Sequence, residues 1–210
     1  MKKRLIIVDS DQLLRDTLAI CLGVDGDYEI IGQTGSGLEA VDLCITRRPH
    51  LLILDLMLPQ LCGVEVLRRL RATVPEQKVL VLTATADCSL IIDALRSRPN
   101  GFVEKPTSLK VLREAMNAVC AGSRYYSPLA SELLGESFAA PTATSVLSRR
   151  EREVIQLIAE GASSKEISST LKIAVKTVEN HRGNLMRKLH LHNVADVTRY
   201  AIATGIAPGQ

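Results

Sequence analysis

The chain has 210 residues, of which 46% are hydrophobic and 23% are charged, and its formal net charge is +3. These proportions are typical of soluble globular proteins and exclude disordered, collagen-like and low-complexity chains. No apolar run approaches the roughly 18 residues of a membrane-spanning helix, and Asp9 ends the first apolar run before a signal peptide could form. We therefore expect a cytoplasmic protein of two small domains that does not enter the membrane.

The first 122 residues alternate short apolar runs with helical patterns. The runs predict five buried strands, and apolar residues at i, i+3 and i+4 between them predict five helices. The predicted strands cover residues 5–8, 28–31, 51–54, 79–82 and 101–103. Because strands that alternate with helices form parallel sheets with right-handed crossovers, we expect a doubly wound, five-stranded parallel α/β domain over residues 1–122.

Residues 123–145 differ from this pattern and predict a linker. They are rich in Ser, Thr, Ala, Gly and Pro, and Pro128 and Pro141 do not favour a long helix. A short helix over residues 128–134 is compatible with the segment, since proline is tolerated at a first helical position.

Residues 146–210 carry the signals of a small all-helical domain. Two S-x-x-E capping boxes, at Ser148 and Ser163, predict the starts of two helices, and a third helix follows the second after a short turn. Asn193 is a candidate N-cap of a fourth helix. Two short helices joined by a tight turn and braced by outer helices form a helix-turn-helix.

Reactive side chains follow four of the five predicted strands, namely Asp9, Asp55, Thr83 and Lys105. Because the carboxyl ends of parallel strands share one edge of a sheet, we expect these side chains to lie together. Two carboxylates at one edge repel each other and favour a divalent cation with oxygen ligands, such as Mg²⁺. The set is suited to phosphoryl transfer, with a carboxylate as nucleophile and Thr83 and Lys105 neutralising the phosphate.

These residues resemble the receiver domain of two-component response regulators. The likeness rests on Asp9, Asp55-Leu56-Met57-Leu58-Pro59, Thr83-Ala84 and Lys105-Pro106. It implies that Asp55 accepts phosphate from a sensor histidine kinase and that Asp9, Asp55 and the backbone carbonyl of Met57 bind Mg²⁺. It further implies that Thr83 and Lys105 stabilise the phosphoryl group, that Phe102 is the aromatic switch, and that a cis peptide precedes Pro106.

One position departs from the pattern of this family. The first strand is usually followed by two adjacent acids, whereas this chain has Asp9-Ser10-Asp11. A serine hydroxyl brings no negative charge, so we expect weaker Mg²⁺ binding unless Asp11 or Ser10 supplies a ligand, and therefore slow phosphorylation. The alternative is an orphan regulator of the same fold that works without phosphorylation.

An apolar run followed by Asp9-Ser10-Asp11 also resembles the first motif of haloacid-dehalogenase-type phosphatases. On this alternative the chain is an enzyme, with Asp9 as nucleophile and Asp11 as acid and base. The phosphatase hypothesis leaves Asp55 and the whole second domain unexplained. We therefore expect a protein that accepts a phosphoryl group but is not a turnover enzyme.

The second domain contains a basic segment between Gly161 and His192. It contains six Lys or Arg residues and two Glu residues, which give it a local net charge of +4. With the patterns at 147–154, 161–167 and 175–181, the segment resembles the LuxR-type helix-turn-helix of the NarL/LuxR (FixJ) family. The resemblance implies a phosphorylation-gated transcription regulator that binds double-stranded promoter DNA as a homodimer, with RNA polymerase as a candidate further partner.

The predicted third helix of this domain has an inner and an outer face. Val178, His181, Leu185 and Leu189 are spaced to face inward, so the residues between them face outward. We predict that Asn180 contacts adenine and Glu179 contacts cytosine. The remaining predicted DNA-binding residues, most of them suited to phosphate contacts, are Lys165, Lys176, Thr177, Arg182, Asn184, Arg187 and Lys188.

Overall fold

The computed structural model describes residues 2–24, 26–85, 88–139, 147–189, 191–204 and 206–207. Its strands are β1 (Lys3–Val8), β2 (Tyr28–Thr34), β3 (Leu51–Leu54), β4 (Val79–Thr83), β5 (Gly101–Glu104) and β6 (Tyr125–Tyr126). Its helices are α1 (Gln12–Val24), α2 (Gly37–Arg47), α3 (Gly63–Thr73), α4 (Cys88–Arg96), α5 (Leu109–Cys120), α6 (Pro128–Ala139), α7 (Arg149–Ala159), α8 (Ser164–Leu171), α9 (Val175–Leu189) and α10 (Val194–Ala203).

The strands form one parallel sheet in the order β2-β1-β3-β4-β5-β6. The predicted fold class is confirmed, but the predicted number of strands is wrong, because the described residues contain a sixth strand. Tyr125 and Tyr126 pair with Gly101 and Phe102 at the edge of the sheet. A two-residue strand is too short to show a periodic pattern, so the sequence gives no signal for it.

The helix α6 lies in the segment predicted as a linker and extends beyond the short helix considered there. Ser127 precedes it, and the Ser127 hydroxyl accepts a hydrogen bond from the backbone N–H of Ala130. Ala130 and Leu133 are buried, and α6 packs against α4. The first part of the predicted linker is therefore packed on the sheet domain, whereas residues 140–146 lie outside the described residues.

Two hydrophobic clusters cover the two faces of the sheet. Alternate residues of β1 point to opposite faces, so Ile6 packs with α2, α3 and α4, whereas Leu5 and Ile7 pack with α1 and α5. This arrangement buries both faces of the strands and leaves their carboxyl ends at one edge of the sheet, where the predicted site residues lie.

The helices α7 to α10 pack around a separate core that includes Val154, Ile167, Val178 and Leu185. Both predicted capping boxes are formed, at the starts of α7 and α8, and Asn193 caps α10. The predicted helix-turn-helix is therefore present, with α8 and α9 as its two helices. Within the described part of the chain, no helix combines the length and apolarity needed to span a membrane.

Candidate phosphoacceptor site and DNA-binding surface

The carboxyl edge of the sheet brings together two carboxylates and one ammonium group, which we call the acid pocket. The Nζ of Lys105 lies 2.5 Å from Oδ2 of Asp9 and 3.3 Å from Oδ2 of Asp55. Asp9 and Asp55 are only 3% and 4% exposed. The structure thus places these three residues, from the ends of β1 and β3 and from just after β5, within contact distance.

The ionisation of the acid pocket reflects its burial. Burial raises the pKa of Asp55, and Asp9 adds to the effect, while the neighbouring Lys105 and a hydrogen bond with Thr83 partly oppose it. Burial alone would lower the pKa of Lys105, but the two carboxylates outweigh burial and raise that pKa. The ammonium of Lys105 is therefore firmly charged and stabilises the ionised form of Asp55.

Asp11 does not join the acid pocket. Its Oδ1 accepts a hydrogen bond from the backbone N–H of Leu14 at the start of α1, 3.2 Å away, and its own N–H donates to Oδ1 of Asp9. Ser10 is exposed. A cation that the sequence analysis did not single out is also nearby, because the Arg15 guanidinium donates to the backbone oxygens of Asp9 at 2.6 Å and Ser10 at 3.3 Å.

The donor set of the acid pocket fits Mg²⁺, with few protein ligands. Mg²⁺ in proteins commonly takes one or two carboxylates and keeps several waters. Asp9 and Asp55 supply two such carboxylates, while the described residues contain no group of three or more His, Cys, Asp or Glu that could hold an ion. Because Asp11 caps α1 and Ser10 is uncharged, the charge available to a cation is lower than in a three-acid site.

Thr83 and Phe102 are both buried beside this edge. Thr83 is the last residue of β4 and is fully buried, and its hydroxyl accepts a hydrogen bond from the N–H of Thr85 at 3.4 Å. Phe102 is fully buried in β5, where it pairs with Val81 on one side and Tyr126 on the other. The peptide bond between Lys105 and Pro106 is cis.

The segment 56–62, which we call the acceptor loop, connects Asp55 to α3 and contacts α7. The side-chain amide of Gln156 donates to the backbone oxygen of Leu58 at 2.6 Å, and its Oε1 accepts from the N–H of Cys62 at 2.9 Å. The Glu160 carboxylate accepts from the N–H of Gln60 at 2.9 and 3.0 Å. The helix-turn-helix domain is therefore bound directly to the loop that follows the predicted phosphoacceptor.

Two ion pairs extend this contact to α3 and α4. Arg69 on α3 lies 3.1 Å from Glu153, and Arg152 lies 2.6 Å from Asp93 on α4. Both carboxylates are nearly buried. We refer to these two pairs, with the bonds of Gln156 and Glu160, as the docking contact. Sequence reasoning missed it, because polar residues in a helix carry no periodic signal of burial.

The outer face of α9 is accessible while α7 is docked. Exposed predicted DNA-binding residues are Lys165, Lys176, Glu179, Asn180, Arg187 and Lys188, whereas Thr177, Arg182 and Asn184 are half-buried. On the inner face Val178 and Leu185 are buried as expected, but His181 and Leu189 are only half-buried. The docking contact therefore leaves the beginning of α9 uncovered.

Two of the predicted phosphate contacts are near acidic partners of their own domain. Lys188 lies 2.7 Å from Glu151 of the first capping box. Burial would raise the pKa of Glu151, but hydrogen bonds with Lys188 and Ser148 outweigh burial and lower it. Arg182 lies 3.9 Å from Glu179. Lys188 thus holds α9 to the start of α7 in this structure.

Comparison with known proteins accounts for both halves of the chain. Residues 5–117 match the model of the response regulator receiver domain, and residues 145–201 match the model of the bacterial regulatory proteins of the luxR family. Neither match is a phosphatase, so the comparisons support the regulator and not the phosphatase alternative.

Relatives resemble the chain along nearly its whole length. BvgA from Bordetella pertussis, a transcription regulator of virulence factors, is 32% identical over 99% of this chain and 100% of BvgA. The response regulator VraR from Staphylococcus aureus is 28% identical, over 96% of this chain and 97% of VraR. A structure of the response regulator RcsB from Salmonella typhimurium superposes with a TM-score of 0.70, over 97% of this chain and 98% of the RcsB chain, at 23% sequence identity. The chain therefore belongs to the response regulators that join a receiver domain to a LuxR-type DNA-binding domain.

Proposed function

We propose that Asp55 is the phosphoacceptor and that its phosphorylation by a sensor histidine kinase controls DNA binding by the helix-turn-helix. The observation that carries this proposal is the acid pocket, in which a buried carboxylate lies 3.3 Å from the ammonium of Lys105. We also assign β6 and α6 to the receiver domain, because they pair and pack with it.

The proposed chemistry is transfer of one phosphoryl group. A carboxylate oxygen of Asp55 attacks the phosphorus of a phosphohistidine, and the new P–O bond forms as the P–N bond breaks, with the electron pair left on the imidazole nitrogen. Lys105 neutralises charge on the transferred group, and Thr83 donates a hydrogen bond to it. Asp9, Asp55 and the carbonyl of Met57 would hold Mg²⁺, which supplies further positive charge to the phosphoryl oxygens.

We propose that α9 binds the major groove of promoter DNA. Asn180 and Glu179 are exposed in the first half of α9 and are assigned to base edges, and the exposed Lys176 and Arg187 are assigned to phosphates. A single small domain offers few contacts, so binding as a homodimer is expected. Structures of RcsB include dimers bound to DNA, which supports the same assembly for this chain.

The test of the phosphoacceptor is mass spectrometry after incubation with acetyl phosphate and Mg²⁺. We expect the mass of one phosphoryl group to be added to the wild type and to Asp42→Ala, a matched control on the exposed side of α2. Asp55→Ala is expected to gain none. Absence of any gain in the wild type, with every phosphodonor tried, would contradict the proposal.

The orphan alternative is favoured by a specific observation, namely that Asp11 caps α1 and Ser10 adds no charge to the acid pocket. Ser10→Asp tests it. If weak Mg²⁺ binding limits phosphorylation, this substitution is expected to tighten Mg²⁺ binding by about tenfold, which corresponds to about 1.4 kcal/mol, and to speed phosphorylation. If the Asp55→Ala variant regulates transcription in cells as the wild type does, the orphan alternative is established instead.

A further inference from the structure

The end of the sheet opposite the acid pocket is strongly basic. Because the strands are parallel, the segments around their starts meet at the amino edge of the sheet. They contain ten Lys or Arg residues and three Asp or Glu residues, a formal net charge of +7, whereas the whole chain has +3. The positive charge of the chain is therefore concentrated at this edge, in residues 2–4, 26–29, 47–50, 71–78, 96–100 and 120–124.

We propose that these segments, which we call the basic edge, bind the phosphate backbone of double-stranded DNA without reading its sequence. The inference rests on the DNA binding proposed for this chain and is independent of phosphorylation at Asp55. It gives the receiver domain a DNA-contacting surface of its own, in addition to α9.

Most of the charges of the basic edge have no acidic partner. Arg96 lies 3.9 Å from Asp93, whereas the other nine cations form no ion pair with any residue that the structure describes. None of the ten belongs to the docking contact. Lys3, Arg4, Arg71 and Lys78 are half-buried. Six remain exposed while α7 is docked, namely Lys2, Arg47, Arg48, Arg96, Arg98 and Arg124.

Like charges are held close together at one end of the basic edge. The guanidinium of Arg71 donates to the backbone oxygen of Arg98 at 3.0 Å, a bond that fixes its position but brings no negative charge. Burial lowers the pKa of Arg71, and the nearby Arg124 adds to the effect, while Tyr126 and Glu76 partly oppose it. A phosphate group beside Arg71 and Arg124 would reduce the repulsion between them.

The middle of the basic edge contains a recess of about 430 Å³. Lys3, His50 and Lys78 line it, together with one acid, Glu76. Nδ1 of His50 accepts a hydrogen bond from the backbone N–H of Arg4 at 2.8 Å, so the neutral ring carries its proton on Nε2 as a donor. Two ammonium groups and an imidazole N–H thus border one recess, which suits a phosphate group.

The length of the basic edge matches an extended polyanion. Cations stand at the starts of β1, β3, β4, β5 and β6, which are neighbours in the sheet. Four spacings of about 4.8 Å between these strands give a band of roughly 19 Å. Duplex DNA carries one charge per ~1.7 Å of its axis, so about ten phosphates lie along such a length.

The composition of the basic edge favours DNA over a membrane surface. Seven of its ten cations are arginines, whose planar guanidinium groups match the oxygens of a phosphate. Surfaces that insert into a lipid interface present large apolar side chains, and no large hydrophobic side chain of these segments is exposed. The basic edge and α9 also belong to one chain, so DNA bound by one is at a high local concentration for the other.

The test uses a double variant of the full-length protein, Arg48→Asn with Arg98→Asn. Both residues have a left-handed backbone, with φ of 45° and 54°, which asparagine adopts readily, and neither side chain bonds to another described residue. Binding to a labelled duplex of random sequence is followed by fluorescence anisotropy over a range of salt concentrations. We expect the slope of log K against log salt to become shallower by about 1.8, or about 0.9 for each lost phosphate contact.

Lys110→Glu is the matched control. It changes the net charge by the same two units, but Lys110 is exposed in the first turn of α5, at the opposite end of the receiver domain. Glutamate is favourable in the first turn of a helix, so the fold is expected to be kept. We expect this control to bind random DNA with the slope of the wild type. Thermal unfolding establishes that all three proteins are folded.

A second measurement locates the contact without any variant. The wild type is acetylated with an N-hydroxysuccinimide ester, with and without the random duplex, and the modified lysines are identified by mass spectrometry. We expect the duplex to reduce acetylation of Lys2 and Lys3 severalfold and to leave that of Lys110 unchanged.

The outcomes separate this inference from the proposed function. An unchanged slope in the double variant, or an equal reduction in Lys110→Glu, would overturn the inference while leaving Asn180 and Glu179 as the proposed base contacts. Unprotected Lys2 and Lys3 would overturn it as well, and sedimentation of the protein with phosphatidylserine vesicles would then assign the basic edge to lipid. A wild type that binds no DNA at any salt concentration would overturn the proposed DNA binding, and the inference with it.

Discussion

Substitution of Gly63 tests how tightly the acceptor loop is folded against the phosphoacceptor. A Cβ atom at this position would lie 2.2 Å from the backbone oxygen of Asp55 and 2.7 Å from the Cα of Leu56. Both neighbours are backbone atoms, so Gly63→Ala requires the backbone at residue 63 and the backbone at Asp55 and Leu56 to move apart by most of an ångström. Overpacking of this kind costs about 1–3 kcal/mol, and we expect a loss in that range in the free energy of unfolding.

The assay is urea denaturation of the full-length protein followed by circular dichroism, with phosphorylation by acetyl phosphate measured in parallel. Gly23→Ala is the matched control, because a Cβ there meets nothing within 4 Å and the residue lies in α1. Alanine favours the helix, so this control is expected to gain up to ~1 kcal/mol. Equal stability of Gly63→Ala and Gly23→Ala would refute the close approach of the loop to Asp55.

Three further predictions concern charge. Lys105→Met leaves two buried carboxylates without their cation and should cost about 3–5 kcal/mol of unfolding free energy at pH 7. Because burial raises the pKa of Asp55, that carboxyl takes up a proton as the pH falls, so denaturation at pH 4 should show a smaller loss. Lys176→Ala should weaken binding to every DNA sequence and reduce the salt slope by about one, whereas Asn180→Ala should change base preference in competition assays; equal losses on specific and random DNA for both would contradict these roles. Burial raises the pKa of Glu160, although hydrogen bonds with Gln156 and Gln60 partly oppose it. The docked form therefore binds a proton at Glu160 more readily than the undocked form, so docking should strengthen as the pH falls towards 4.5, the ordinary pKa, from just above it. The measurement is the rate of hydrogen exchange at the amide of Gln60, corrected for the intrinsic rate. A corrected rate that does not change with pH in this window would exclude the prediction.

The sequence predicts the parts of this molecule that depend on local patterns. Asp9, Asp55 and Thr83 follow apolar runs, and parallel topology brings the ends of such runs to one edge, so their proximity could be expected before the structure was known. The capping boxes at Ser148 and Ser163 were likewise readable, because each requires only two residues three positions apart.

The parts that escaped prediction depend on contacts between distant residues. Gln156 bonds to Leu58, 98 positions away, and a glutamine beside apolar neighbours in a helix carries no periodic signal of burial. Asp11 could be assigned either to the metal or to the cap of α1, and only the position of the Leu14 amide decides between them. The helix α6 was underestimated because the composition of its segment is that of a linker.

The exposed beginning of α9 restricts how the receiver domain can act. The docking contact lies on α7, while Lys176, Glu179 and Asn180 of α9 remain exposed, so docking does not itself bury these side chains. If α9 enters the major groove as proposed, docking acts through the orientation in which α9 is held. That orientation decides whether the α9 helices of two copies can reach adjacent turns of the double helix together.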